Sequence, residues 1–461
     1  MKKLIVLALF CTTPCLSQDL THPRDMGLPD SDYTRPDPAE YQLSLENGLI
    51  AYVAEADQVP LVTMSAFIRA GLVNDEQQGA AESLRDALKN SGPSGMSSSD
   101  FKASLKQMTA DLAVEMHDEW TEITLNVPAE DLDQALPMFA GLLRQPAIGD
   151  ANIERAARNV APEAADLGGE SGPALYEGSM SVAVDRFYEI IYEGHPYGTR
   201  PTAGDFNDLN AADVANFHAR YFVPGNTTIA VAGAIDVEDI NARLVDLFGD
   251  WAAADVPDAK QMPAITRTRA AMHHFPSNKL QSWMVIGHDL PPVPLEEQAA
   301  LDVMNYIMGA VHLNTRMMRE TRYKYGYTND ASGFPEDRWY GPGGYTFRSY
   351  SRPEVIENIY QNMMGQIIRT RSEEVPDHEM FVAIGALADG SFPVGYLDGY
   401  ALTRSFALER LRYGNHDRSA SYVQRVRAVS KDDVLKVARK YLRPDEMQVV
   451  LVGEEAFPLR Q

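Results

Sequence analysis

The chain has 461 residues, 45% hydrophobic and 23% charged, with 65 acidic side chains against 41 basic ones and a formal charge of −24. That balance excludes a nucleic-acid or anionic-membrane surface, while the apolar fraction is enough to give full cores to two halves of roughly 200 residues each. Both cysteines, Cys11 and Cys15, sit near the N-terminus, so the rest of the chain has no disulfide, thiolate metal site or cysteine nucleophile.

Residues 1–17 read as a secretory signal peptide: Lys2 and Lys3, an apolar run from Leu4 to Cys11, and a small-residue end at Ser17. The run is too short to span a bilayer, and no later segment approaches that length of continuous apolar residues. A periplasmic or secreted protein without a membrane segment is expected. Residues 18–40, rich in Pro and Asp, read as an extended leader. An N-terminal half follows over 41–252. It opens with a hairpin, Gln42–Leu45 and Leu49–Ala54, punctuated by Asn47-Gly48. Leu61–Ile68 is a further strand, then come helices at about 79–90 and 99–110 and a strand around Thr121–Val127. Helices at about 130–144 and 150–166 follow. Pro257 and Pro263 among small and polar residues mark a linker at 253–266. A C-terminal half, 267–461, begins with a strand at Ser282–Gly287 and a helix from Leu295 to Met308, preceded by Pro294.

The two halves resemble each other. Asp213-Val214 … Tyr221-Phe-Val-Pro224 … Ile229-Ala-Val-Ala-Gly233 returns as Asp433-Val434 … Tyr441-Leu-Arg-Pro444 … Val449-Val-Leu-Val-Gly453, an offset of 220 residues (433 minus 213) without a gap. Each copy reads as a helix, a Tyr-x-x-Pro stop and a buried strand ending in Gly. The repeat unit is domain-sized, so the chain is a tandem pair. Strands and helices mix without strict βαβ alternation, and the expected fold is α+β: two homologous halves, each a mostly antiparallel sheet layered with helices.

Asn47-Gly48-Leu49, Gly71 with Asn74-Asp75, His195-Pro-Tyr-Gly198 with Gly204, and the doubled Tyr-x-x-Pro … Gly segment occur in an order and spacing that resemble the pitrilysin/insulinase family of zinc metallopeptidases over about residues 40–455. The resemblance implies an inverted His-x-x-Glu-His on the first helix, its histidines binding zinc and its Glu activating water, with a later Glu as third ligand. Aligned on Gly79 and Ser91-Gly92, those positions hold Glu82, Arg85 and Asp86, and Glu163 in Asn159-Val-Ala-Pro-Glu163 stands at the third-ligand position. Both imidazoles are replaced, and an arginine cannot act as the base. Glu82, Asp86 and Glu163 form a carboxylate set suited to Ca²⁺ or Mg²⁺ rather than catalytic zinc. The plainer expectation is a salt-bridge cluster of Glu82 and Asp86 with Arg85.

The family's substrate-holding Arg and Tyr, seven residues apart, align with Arg322 and Asn329, with Tyr327 as a displaced phenol. Arg322 suits a peptide carbonyl or, equally, an internal salt bridge. The Gly-rich loop that some members place before this helix is absent from Met308-Gly-Ala-Val-His-Leu. His273 and His274, adjacent on a strand, face opposite sides; His195 belongs to a turn, and His117 stands isolated beside Asp118 and Glu119.

The resemblance therefore implies a pseudo-peptidase with no catalytic residues and no cofactor of its own, zinc being expected only in a partner. Its expected partners are peptides, held as an added strand along a sheet edge, and a paralogous active zinc peptidase subunit in a heterodimer, a homodimer being the other arrangement. Two alternatives stand beside it: a stand-alone periplasmic peptide-binding or scaffold protein, and an enzyme using a carboxylate metal site.

Overall fold

The computed structural model describes residues 33–160, 178–266, 268–310 and 313–459. The expected signal peptide, most of the leader and Glu163 lie outside the described residues. Tyr33 and Thr34 belong to a separate N-terminal unit, and residues 35–461 form one compact unit that holds every element described here.

The strands are β1 (Gln42–Ser44), β2 (Ile50–Glu55), β3 (Leu61–Ile68), β4 (Asp111–Met116), β5 (Thr121–Pro128), β6 (Thr227–Gly233), β7 (Ala271–Pro276), β8 (Ser282–Leu290), β9 (Ala331–Pro335), β10 (Gly343–Ser351) and β11 (Gln448–Gly453). They make two sheets, in the orders β1-β2-β6-β3-β5-β4 and β7-β11-β8-β10-β9. Within them only β2–β6 and β7–β11 are parallel. Without β1, the two orders and senses match strand for strand. The fold is thus α+β, with two equivalent, mostly antiparallel sheets.

The helices are α1 (Ala80–Asn90), α2 (Ser98–Gln107), α3 (Leu132–Arg144), α4 (Asp150–Asn159), α5 (Met180–Ile191), α6 (Ala211–Tyr221), α7 (Val237–Phe248), α8 (Leu295–Met308), α9 (Arg316–Met318), α10 (Pro353–Ser372), α11 (Asp377–Gly385), α12 (Phe392–Val394), α13 (Gly399–Tyr413), α14 (Asp417–Arg427) and α15 (Lys431–Tyr441). The chain after α9 continues as a π-turn over Arg319–Lys324. Among the described residues, no single helix is long and apolar enough to cross a membrane.

Alternation along the strands makes both faces of each sheet apolar. On the first sheet, Val53, Met64, Ala66, Ile229 and Val231 enter the main core of their own half. Tyr52, Ala54, Phe67, Ala230 and Ala232 point the other way and pack on Leu402, Phe406, Ala407 and Leu411 of α13, a helix of the other half. The second sheet repeats the arrangement. Met284, Ile286, Val449 and Leu451 enter its own core, whereas Val285, Val450 and Val452 meet Ala183, Phe187 and Ile191 of α5 from the first half. Gly287 admits this contact, since a Cβ there would lie 2.8 Å from the Phe187 ring. Adding the repeat offset to α5 gives residues 400–411 (180 + 220 to 191 + 220), which fall within α13. The two halves have exchanged equivalent helices.

Equivalent hairpin ends also meet. Asp118, in the β4–β5 turn, accepts from the Arg338 guanidinium in the β9–β10 loop, 220 positions away. Glu119 accepts from the Trp339 and Tyr340 backbone N–H groups, each at 2.8 Å, and from the Tyr197 hydroxyl. Trp120 and Trp339 stack with centroids 5.7 Å apart. Arg338 lies 4.4 Å from the Tyr197 ring centroid and also faces Tyr188 and Tyr192, so this buried cation is paired with a carboxylate and lies against π-faces.

Helix α6 braces α1 and is anchored by His218, whose Nε2–H donates to the Leu143 carbonyl at 2.9 Å. Burial pushes this imidazole down from its ordinary value of 6.5 to about 4. The unfolded chain therefore takes up a proton near pH 6.5 that the folded chain refuses until about pH 4, and stability falls as pH drops through that window. The expected loss from this group is about 3 kcal/mol. In His218→Gln, which keeps a donor without a charge, the fall between pH 7 and pH 4.5 should be smaller than in the wild type by about 2–3 kcal/mol, measured by urea unfolding at each pH.

Candidate functional site

Helix α1 starts where the sequence signals it. Gly79 takes φ +103° at its N-cap, a conformation that costs glycine little. The Asp75 carboxylate accepts from the backbone N–H of Gly79 at 2.8 Å and of Ala81 at 3.2 Å, satisfying two of the helix's orphan donors. Burial pushes the Asp75 carboxyl up to about 6, and those backbone donors pull against it. Ala80, Ala81, Leu84, Ala87 and Leu88 are buried, which fixes the rotation of the helix and turns Glu82, Arg85 and Asp86 toward α4 and the cleft.

Glu82 and Arg85 form an ion pair of 2.6 Å one turn apart, with Arg85 41% exposed. Asp86 does not join them. Its side chain is 5% exposed and is paired with Arg155 of α4 at 2.8 Å. It also accepts from Asn152 Nδ2 and Asn90 Nδ2, each at 2.9 Å. The expected single cluster around Arg85 is therefore corrected to two separate pairs, because Asp86 points down to α4 where a second cation stands. Arg155 escaped the sequence reading, although Asn152 and Arg155 are three residues apart on one helix face, a spacing that offers two donors to one acceptor.

These positions do not fit zinc. They offer no imidazole, and both oxygens of Asp86 are already taken up by Asn90, Asn152 and Arg155. A metal-bound water has neither a ligand set nor a base here. A cavity of about 300 Å³ lies among Glu82, Arg85, Asp86, Lys89 and Val114 of β4. A second, of about 650 Å³, runs from Glu82 and Arg85 past Tyr188 and Tyr192 to Arg200 and Arg338, so the second half contributes a residue to it.

Arg322 lies on the π-turn, and its Nη1 donates to the Asn329 carbonyl at 3.1 Å, a loop-closing bond rather than a salt bridge. Asn329 is exposed. Tyr327 stacks on Tyr325 with centroids 5.1 Å apart, and its hydroxyl accepts from Asn358 Nδ2 at 3.3 Å. Arg322, Asn329 and Tyr327 are close to one another, but none lines either cavity beside Glu82 and Arg85. His195, His273 and His274 are held by hydrogen bonds. His195 Nδ1 accepts from Tyr197 N–H at 3.1 Å while Nε2–H donates to the Pro263 carbonyl at 3.0 Å. His273 contacts Gln448 and His274 the Gly453 carbonyl, each at 3.0 Å.

Removing Arg155 strands a buried carboxylate. Arg155→Ala should cost about 2–4 kcal/mol, whereas the same change in an Asp86→Asn background should cost less than about 1 kcal/mol. A double-mutant cycle by urea unfolding at pH 7 measures the difference.

Residues 208–387 match the family model described as Peptidase M16 inactive domain. The chain is 21% identical over 282 residues to the "Zinc protease PqqE" of Helicobacter pylori, covering 59% of this chain and 61% of that one, which is less than two thirds of the relative's length. It is 22% identical over 412 residues to the "Uncharacterized zinc protease SCO5738" of Streptomyces coelicolor, covering 86% of this chain and 82% of the relative. A Pseudomonas fluorescens structure titled as a peptidase M16 inactive domain superimposes with TM-score 0.73 at 17% identity, covering 90% of this chain and 98% of that one. The periplasmic protease PqqL of Escherichia coli gives TM-score 0.68 at 15% identity, covering 98% of this chain and 49% of that one. Residues 208–387 thus match a peptidase M16 family model, and the chain is similar in sequence to proteins named zinc proteases and shares the fold of M16 peptidase structures across both halves.

Proposed function

We propose that the chain is a non-catalytic M16 subunit that binds extended peptides and works beside a partner carrying the zinc. The observation that carries this reading is the neutralised motif on α1. Glu82 is paired with Arg85 and Asp86 with Arg155 of α4, so the helix that would hold a catalytic metal instead presents the half-exposed Arg85 guanidinium to the cleft. Arginine donors suit the carbonyl oxygens of a peptide backbone.

A strand edge stands beside these donors. β4 ends the first sheet, and no described strand pairs with its outer side. The hydrogen bond from His117 N–H to the Trp120 carbonyl, 2.9 Å, sets the alternation of the β4–β5 ladder. It leaves the N–H and C=O groups of Leu112 and Val114 directed away from β5. An unfolded peptide added there would lie alongside the cavity that Val114 shares with Glu82 and Arg85. Arg322, half-buried with one donor on Asn329, keeps further N–H groups for a second contact. The exported character follows from residues 1–17 and is in keeping with the periplasmic protease among the structural relatives.

The purified chain with excess Zn²⁺ should not cleave a quenched fluorescent unfolded peptide, and should bind it. Turnover abolished by Asp86→Asn would refute the non-catalytic reading. An added strand pairs only every second residue. Peptides N-methylated on one alternate set of amides should therefore lose binding, and those methylated on the other set should keep it. Arg322→Ala should weaken binding roughly tenfold, read by fluorescence anisotropy; an unchanged affinity removes Arg322 from the site. Recovery of the tagged chain from its native compartment should bring down an M16 paralogue with intact His-x-x-Glu-His in equal amount, whereas a clean homodimer would favour a stand-alone peptide-binding protein.

A further inference from the structure

The tip of the β4–β5 hairpin carries a second group of metal-competent side chains. Glu115 and Glu122 stand directly opposite each other in the ladder. His117 follows Glu115 by two residues, so alternation puts all three on one face. One donor atom from each lies within 4.8 Å of the other two. His117 is not the isolated residue its sequence context suggests. Its Nε2 is enclosed, has no hydrogen-bond partner among the described residues, and sits 3.7 Å from Glu115 Oε2.

The surroundings hold this group in place. The His117 ring lies flat on Trp120, with centroids 4.1 Å apart. In its neutral form the ring offers a lone pair to an ion. Glu122 is clamped by Arg404, whose Nε and Nη2 donate at 3.1 and 2.7 Å. A ligating carboxylate is ordinarily steadied by such an outer partner. Glu115 is 62% exposed and can turn toward the other two. The two glutamates and Arg404 leave one net negative charge around a neutral imidazole.

We propose that Glu115, His117 and Glu122 form a binding site for a divalent first-row transition metal such as Zn²⁺, distinct from positions 82, 85 and 86. One imidazole with two carboxylates favours this class of ion over Ca²⁺ or Mg²⁺, which take all-oxygen sets. Metal–ligand bonds of about 2.0–2.2 Å require the three donors to close by a small movement, which the exposed Glu115 supplies. The fourth position stays open to water or to a peptide group on the β4 edge. An ion here also ties together the hairpin whose Asp118 and Glu119 join the two halves. The inference is independent of whether the chain cleaves peptides.

Chelator-stripped protein titrated with ZnCl₂ by calorimetry tests the site. The expected result is one ion per chain, with affinity reduced at least roughly tenfold by His117→Ala and by Glu115→Gln and unchanged by Glu82→Gln. Thermal unfolding gives a second readout: zinc should raise the midpoint of the wild type and leave that of His117→Ala where it was. No binding by the wild type overturns the proposal, and so does undiminished binding by His117→Ala or loss of binding in Glu82→Gln.

Discussion

The structure depends on the exchange of α5 and α13 between the two halves. Each sheet is apolar on both faces, and its own half supplies helices enough for only one of them. The second face is covered by the equivalent helix of the other half, so neither sheet reaches its buried state alone. With Phe187 and Phe406 fully buried at the two seams, either contact alone would cost several kcal/mol to open. The arrangement is that of an isologous pair, in which the same surface is used twice, here within one polypeptide. The Asp118–Arg338 pair and the Trp120–Trp339 stack, where equivalent hairpin ends meet, follow from the same relation.

Much of this was legible in residue patterns. The Tyr-x-x-Pro … Gly repeat located α6 with β6 and α15 with β11, because helix stops and buried β-runs leave local signals. Asn47-Gly48 marked the β1–β2 hairpin, and Gly48 indeed takes φ +94°. Other elements were missed. The helix expected at 99–110 ends at Gln107, and Asp111–Met116 forms β4, whose mixed acidic and apolar residues carry weak alternation. α5 has apolar residues at 183, 187 and 191, a period that reads as helix, yet no local pattern says that its face is complementary to a sheet in the other half.

The candidate site divides in the same way. That Glu82, Arg85 and Asp86 share a helix turn is a matter of spacing and was readable. That Asp86 turns to Arg155, 69 residues on, is a matter of how α1 lies against α4. Arg338 in the cleft and Arg404 on Glu122 come from loops and helices hundreds of residues away, and isolated arginines in sequence carry no sign of their partners. His117 was legible as a residue and not as a group, since its company is made by the ladder opposite.

The pairing of Asp86 makes the site on α1 resistant to reversal. A histidine placed at 86 would leave Arg155 facing a neutral ring, with Asn152 and Asn90 losing the acceptor both now share. The imidazole would enter a pocket shaped for an anion and pay for a stranded cation before any metal arrived. Zinc chemistry on this helix is therefore several simultaneous substitutions away, each unfavourable without the others, and single-residue steps along that path descend in stability before they gain a function.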